Sequence, residues 1–285
     1  MDKNPVIHAL RSRGNATAFM PQDVPDELIA EVVDIGTHAP GGTQLQPYAV
    51  IVIRDRARRM ALAKILGDQP WIAQAPALLL YCLDLYRIQK WAALKEASYD
   101  VHNLSVFLSS LIDTVAFAQA SVVACEALGL SSRWESTVLD AASEIVELEG
   151  LPHLVLPVVM LGVGYPKGQA SRAHRLPTET FIHRDVYGPA SVEDIETTYK
   201  EVENLFTQWK LVAPEFRKQC QSLGVENMAQ YIFADRLGEQ RVQRALQSLG
   251  NALERAGFGG TPPPEPEIHK RPAIQIPMPN LSGLR

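Results

Sequence analysis

The stretch Ala39-Pro40-Gly41-Gly42-Thr43-Gln44-Leu45-Gln46-Pro47 combines residues that let backbone approach a bulky ligand with residues that recognise a polar edge. Pro40 closes the helix before it, Gly41 and Gly42 carry no Cβ, and the amides of Gln44 and Gln46 both donate and accept hydrogen bonds. The same residues also suit a helix-to-strand turn whose glutamines face water. A second group, Arg11-Ser12-Arg13 ahead of Gly14-Asn15, sets two guanidiniums and a hydroxyl at a helix end. Arginine meets phosphate oxygens bidentately, so the triplet suits an anion grip; a solvated basic turn is the alternative.

The elements that must position these groups are legible from pattern. Pro5 to Arg11 reads as a short helix. Acids in Asp23-Val24-Pro25-Asp26-Glu27 mark a helix start, and Leu28, Ile29, Val32, Val33 and Ile35 give that helix an apolar face running to the glycine loop. Tyr48 to Ile53 and Ala77 to Leu83 are charge-free runs that predict buried strands. Arg54-Asp55-Arg56-Ala57-Arg58-Arg59 opens a helix; four arginines without interleaved aromatics read as a solvated face rather than a nucleic-acid contact. A mixed polar and aromatic helix is expected over 85–100. The stretch from Leu104 to Leu128 is apolar on nearly all sides, which places it centrally or at a subunit contact, with Gly129 as its terminator. Helices are expected again at about 140–149, 192–209, 213–223 and 227–256.

Composition bounds the function. The chain has 285 residues, 46% hydrophobic and 21% charged, with a net charge of −5, enough for one large core and without a broad basic field. Small molecules are therefore the expected partners, rather than nucleic acid or an anionic membrane. Cys82, Cys125 and Cys220 lie far apart and suggest neither a disulfide framework nor a metal cluster, which fits a reducing cytoplasm. The N-terminal residues lack an apolar core of signal-peptide length, and the runs near 75–83 and 154–163 are too short to span a bilayer. No GxGxxG motif or P-loop is present.

Segment 39–47 resembles the Ala-Pro-Ser-x-x-Asn-x-Gln-Pro signature of the FMN-dependent nitroreductase family, with glycines in place of serine and Gln44 in place of asparagine. Other motifs follow in the family's order. Arg11-Ser12 and Arg13 resemble its Arg-Ser-x-Arg-x-Phe motif, with the aromatic residue arriving late as Phe19. Gly67 to Ala75 resembles the Gly-x-Gln-x-x-Ile-Ala-Gln-Ala segment of the larger NADPH-linked flavin reductase and oxygen-insensitive nitroreductase branch, and gives Gln69 a flavin contact. Trp134-Glu135-Ser136 stands where many members have an apolar residue, Glu and Gly beside the flavin N5, so these three are the expected catalytic positions. Backbone N–H groups there would stabilise negative charge developing on the ring. The strand ending in Gly164-Tyr165-Pro166 matches the family closely. Arg175 aligns with the arginine of its Lys-x-Arg-Leu-Pro phosphate motif; Ala173 replaces the lysine, and Arg172 can supply the missing cation.

The resemblance implies an α+β fold with a mixed central sheet flanked by helices, assembled as a homodimer with FMN at the interface. Its expected cofactor-binding residues are Arg11, Ser12, Arg13, Pro40, Gly41, Gln44, Gln69, Arg172 and Arg175. Three regions are expected: an FMN-binding core over 1–190, a C-terminal helical excursion over 191–258, and a Pro-rich extended arm over 259–285. The implied activity is hydride transfer from NADPH or NADH, through FMN, to a nitroaromatic, quinone or other conjugated acceptor in ping-pong fashion. The alternatives are a different chemistry on the same scaffold (dehalogenation, flavin fragmentation, ring dehydrogenation) and a flavin-binding protein without turnover.

Overall fold

The computed structural model describes residues 4–42, 44–97, 101–236 and 238–258. Thr43 and the expected Pro-rich arm, 259–285, lie outside the described residues. The chain runs α1 (Pro5–Ser12), α2 (Asp26–Thr37), β1 (Tyr48–Ile53), α3 (Arg56–Ile65), α4 (Pro70–Gln74), β2 (Ala77–Asp84), α5 (Tyr86–Leu94) and α6 (Leu104–Ala127). It continues with β3 (Ser131–Glu135), α7 (Ala142–Glu149), β4 (Val155–Gly164), α8 (Val192–Val212), α9 (Pro214–Leu223), α10 (Met228–Tyr231) and α11 (Glu239–Arg255).

The four strands form one sheet in the order β1-β2-β4-β3. The fold is α+β as expected, but the sheet is corrected from mixed to antiparallel among the described residues. The reason is directional: β1 and β4 both flank β2 in antiparallel register, and β3 reverses again on β4. Cross-strand pairing fixes the two faces. Tyr81, Val159, Leu161 and Trp134 share one face, where Phe117 of α6 meets Tyr81 at 5.0 Å and stacks on Tyr48 at 4.3 Å. Met160, Gly162, Arg133 and Glu135 share the other, against which α4 packs. A Cβ on Gly162 would lie 2.4 Å from Trp71 Cζ3, so only glycine lets that indole sit on β4. Leu78, Leu79 and Leu80 of β2 are fully buried, each worth about 1.5–3 kcal/mol of hydrophobic stabilisation.

Several elements differ from the pattern reading. Ser131–Glu135, which carries no strand pattern, is an edge strand; Tyr48–Ile53 is half-exposed rather than buried, with only Ile53 buried, because it too lies at the sheet edge; and the helix expected over 85–100 ends at Leu94. The 191–258 stretch divides in two. Helices α8 to α10 enclose their own apolar cluster of Phe206, Cys220, Val225 and Met228, while α11 returns to the main core through Ala252. Between them a π-helical turn, Ile232–Arg236, interrupts what the pattern suggested was continuous helix.

Candidate active site

Residues 13–20 bring the dispersed motifs together. Asn15 and Ser171 exchange backbone hydrogen bonds at 2.9 Å, Thr17 Oγ1 donates to the Gln169 carbonyl at 3.2 Å, and Ala16 N–H donates to the Ser132 carbonyl at 3.1 Å. Arg11-Ser12-Arg13 is thereby brought toward Arg172-Ala173-His174-Arg175, and Ala16 ties the crossing to the start of β3. Gly14 is required at the crossing, because a Cβ there would lie 2.5 Å from the Ser171 carbonyl oxygen.

Arg13, Arg172 and Arg175 have no carboxylate partner at ion-pair distance among the described residues. Arg13 Nη2 reaches only Asn15 Oδ1, at 3.4 Å, and its buried Nε has no hydrogen-bond partner. Arg175 Nη1 contacts the neighbouring His174 carbonyl at 3.4 Å, and both Arg172 and Arg175 are exposed. Ser12 Oγ contacts Ala9 at 3.5 Å. Glu126, near the end of α6, faces the Arg13 charge; burial raises its carboxyl above the ordinary range and Arg13 opposes that rise. A cluster of under-satisfied guanidiniums beside an edge strand fits a phosphate monoester.

β3 supplies the second part of the site. Because the Ser132 carbonyl points away from β4 to Ala16, strand alternation turns the N–H and C=O of Trp134 outward too. Ser136, which follows the strand, is exposed. An unpaired strand edge with outward N–H groups is suited to reading the polar edge of a planar ring. The Glu135 side chain turns the other way, and is buried at 7% exposure. It accepts from Gln69 Nε2 at 2.7 Å and from the N–H and hydroxyl of Thr137 at 3.0 and 2.5 Å. The contact between Gln69 and Glu135 brings the loop before α4 to the end of β3.

The glycine loop lies elsewhere. Pro40, Gly41 and Gln44 are exposed, and the loop is held from below by Asp113 of α6, whose Oδ1 accepts from Gly42 N–H at 3.2 Å. Asp113 is 7% exposed and is the only aspartate in that apolar helix. Asp113 and the loop line a cavity of about 480 Å³ with Tyr48, whose phenol is pushed up by burial and further by the Asp113 charge. Asp113 and Glu126 stand thirteen residues apart on α6, or about 20 Å at the helical rise. Within one chain, the loop and the cation group therefore sit near opposite ends of the sheet.

Sequence reasoning did not single out Asp113, Trp71 or Thr137. An acid in an otherwise apolar helix is the signal that could have found Asp113. The partnerships of Trp71 and Thr137 are tertiary and leave no local signature.

A family model described as "Nitroreductase family" matches residues 10–165. The chain is 28% identical over 192 residues to an FMN reductase [NAD(P)H] of Bacillus subtilis, covering 65% of this chain and 75% of that protein. It is 29% identical over 189 residues to an oxygen-insensitive NADPH nitroreductase of Salmonella typhimurium, covering 65% and 76%. The fold matches the NfrA1 nitroreductase structure from B. subtilis with a TM-score of 0.74 at 23% identity, over 89% of this chain and 99% of that one.

Proposed function

The chain belongs to the nitroreductase family, and from that premise we propose that it is an FMN-dependent oxidoreductase that takes reducing equivalents from NADPH or NADH and passes them to a nitroaromatic, quinone or other conjugated acceptor. The observation that carries this reading is the junction of Arg13, Arg172 and Arg175 with the outward edge of β3. It offers a cationic end for a phosphate and, one strand length away, backbone donors for a ring. Arg11, Ser12, Arg13, Arg172 and Arg175 would hold the phosphate, and the N–H groups of Trp134 and Ser136 would meet the ring.

Bound FMN would accept hydride from the nicotinamide and deliver it onward to the acceptor. The chain's own contribution is positioning and electrostatics. Fixed N–H dipoles at Trp134 and Ser136 favour negative charge on the ring without reorganising as it develops. Glu135 is tied up by Gln69 and Thr137, so no side-chain base is required of it. The nicotinamide and the acceptor then use one pocket in turn, a ping-pong scheme.

A homodimer completes the site. Leu104, Leu108, Ile112 and Val115 form an exposed apolar stripe along α6, with Ile112 at 68% exposure, and Val6 and Leu10 of α1 are exposed as well. Two copies meeting through α6 would cover this stripe. The two-fold relation also lets the Pro40-Gly41-Gln44 loop of one subunit approach the cation group of the other, across the separation that α6 imposes within one chain. α6 is long and apolar enough to cross a membrane by length and composition. It nevertheless buries Ser110, Asp113, Thr114 and Ser121 in the protein, as a core helix does. We place the enzyme in the cytoplasm, in keeping with three buried cysteines that form no disulfide among the described residues.

Anaerobic assay of NADPH and NADH oxidation against menadione, a nitroarene and free flavin tests the reading. Turnover with at least one acceptor supports it, and absence of turnover with FMN bound would leave a flavin-binding protein only.

A further inference from the structure

Four side chains link α4 to the end of β3 through hydrogen bonds that converge on the Glu135 carboxylate. Trp71 Nε1 donates to Gln69 Oε1 at 2.8 Å. Gln69 Nε2 donates to the Leu66 carbonyl at 3.0 Å and to Glu135 Oε2 at 2.7 Å. The second carboxylate oxygen, Glu135 Oε1, accepts from Thr137 N–H and hydroxyl. Trp71 and Glu135 are each 7% exposed, whereas Gln69 is only partly buried. Below, Trp71 rests on Gly162; the Arg133 guanidinium lies 4.6 Å from its ring centroid.

This arrangement decides which way the Gln69 carboxamide points. An indole N–H only donates, and an ionised carboxylate and a carbonyl only accept. Flipping the amide would set its NH₂ against the Trp71 N–H and its oxygen against two acceptors, a mismatch at every contact. Both amide hydrogens are therefore used inside the protein. What Gln69 still has to offer a ligand is one lone pair on Oε1.

We propose that Trp71, Glu135 and Thr137 are positioning residues that lock Gln69 as a hydrogen-bond acceptor at the flavin site, so that the site selects a ring presenting an N–H to it. The proposal rests on the flavin reading above. An oxidised isoalloxazine carries one ring N–H, at N3, and its other polar edge atoms accept. The locked amide therefore reads N3–H, and a free amide, able to rotate, would not. Glu135 thus acts through Gln69 and not on the reacting atoms.

The test is the ratio of dissociation constants for FMN and 3-methyl-FMN, measured by fluorescence quenching on the full chain after removal of its flavin. The wild-type chain is expected to bind FMN about tenfold more tightly than the methylated analogue, because methylation leaves the acceptor unpaired and adds bulk. In the double variant Trp71→Phe/Glu135→Met, which removes the donor to Oε1 and one of the two acceptors of Nε2, the ratio should fall to within about threefold, as the amide gains freedom to rotate. Thr137→Ser should keep the wild-type ratio. A general loss of stability would weaken both ligands together and leave the ratio unmoved, as would a purely structural role; either result overturns the proposal. Equal binding of the two flavins by the wild-type chain contradicts the lock alone, whereas failure to bind FMN at all contradicts the flavoprotein reading and the lock with it.

Discussion

Asn15 and Ser171, far apart in the chain, donate backbone N–H groups to each other's carbonyls, both at 2.9 Å. This pairing makes a single cationic site out of two segments that each read as an ordinary basic turn. It depends on the residue next to Asn15 having no side chain, since a Cβ at Gly14 would also meet Ala170 Cβ at 2.9 Å.

Gly14→Ala should therefore part the two segments. The clash is with backbone, which cannot rotate away, so a loss of about 1–3 kcal/mol in stability is expected. FMN affinity should fall by about tenfold or more as Arg13 and Arg172 separate. Denaturant titration and flavin fluorescence read the two effects; a variant unchanged in both would show that the crossing does not assemble the site.

Asp113 should matter through its acceptor atom rather than its charge. Asp113→Asn still accepts from Gly42 N–H and should bind FMN within about threefold of wild type, whereas Asp113→Ala leaves the loop untethered and should lose about tenfold. Equal losses in the two variants would assign the effect to charge and contradict the tether.

How much of this was readable beforehand depends on where each constraint resides. Strands β2 and β4 declare themselves as apolar runs, because burial on both sides leaves no room for alternation; β1 and α6 are apolar runs as well, although β1 is a half-exposed edge strand and α6 carries an exposed stripe. β3 does not. Its residues, Ser131-Ser132-Arg133-Trp134-Glu135, are mostly polar, and they are extended only because β4 pairs with them along one side. The order of the motifs was legible, since each is a local string. Their partnerships were not: Gln69 with Glu135, Gly42 with Asp113 and Asn15 with Ser171 all join residues distant in sequence. A sheet without parallel pairs among the described residues was likewise invisible, as strand patterns carry no direction.

A charge placed on the α6 stripe should separate the subunits. Ile112→Asp puts a carboxylate at the centre of the apolar surface, where pairing two copies would bury it without a partner. Light scattering should report a monomer, and flavin retention should fall with dimerisation because the glycine loop is lost from the other subunit's site. A variant that remains dimeric at micromolar concentration with full flavin content would place the interface elsewhere.

Glu126 gives a dependence on pH whose sign is fixed by its environment. Burial raises its carboxyl above the ordinary 4.5, and Arg13 offsets part of that. The folded state therefore holds a proton that the unfolded state releases between 4.5 and the raised value, and stability falls as pH rises through that window. Glu126→Gln should stabilise the protein at neutral pH by less than about 1 kcal/mol, given solvent screening of a half-exposed group. The gain should vanish in acid below the window. Thermal melts of both proteins across pH test this; a variant less stable than wild type at neutral pH would mean that the Arg13 attraction outweighs burial.

The central claim is most directly tested by anaerobic stopped-flow mixing of the FMN-loaded protein with NADPH or NADH, following the visible flavin absorbance, and then mixing the bleached protein with menadione or a nitroarene. The account predicts bleaching by at least one nicotinamide before any acceptor is present, at a rate independent of acceptor identity, and recovery of the absorbance when the acceptor is added. Glu135→Gln should slow the first phase only a few-fold, since the backbone of β3 is held by β4 as well as by that side chain. Absence of bleaching with either nicotinamide while FMN stays bound would contradict the assignment of an NAD(P)H oxidoreductase.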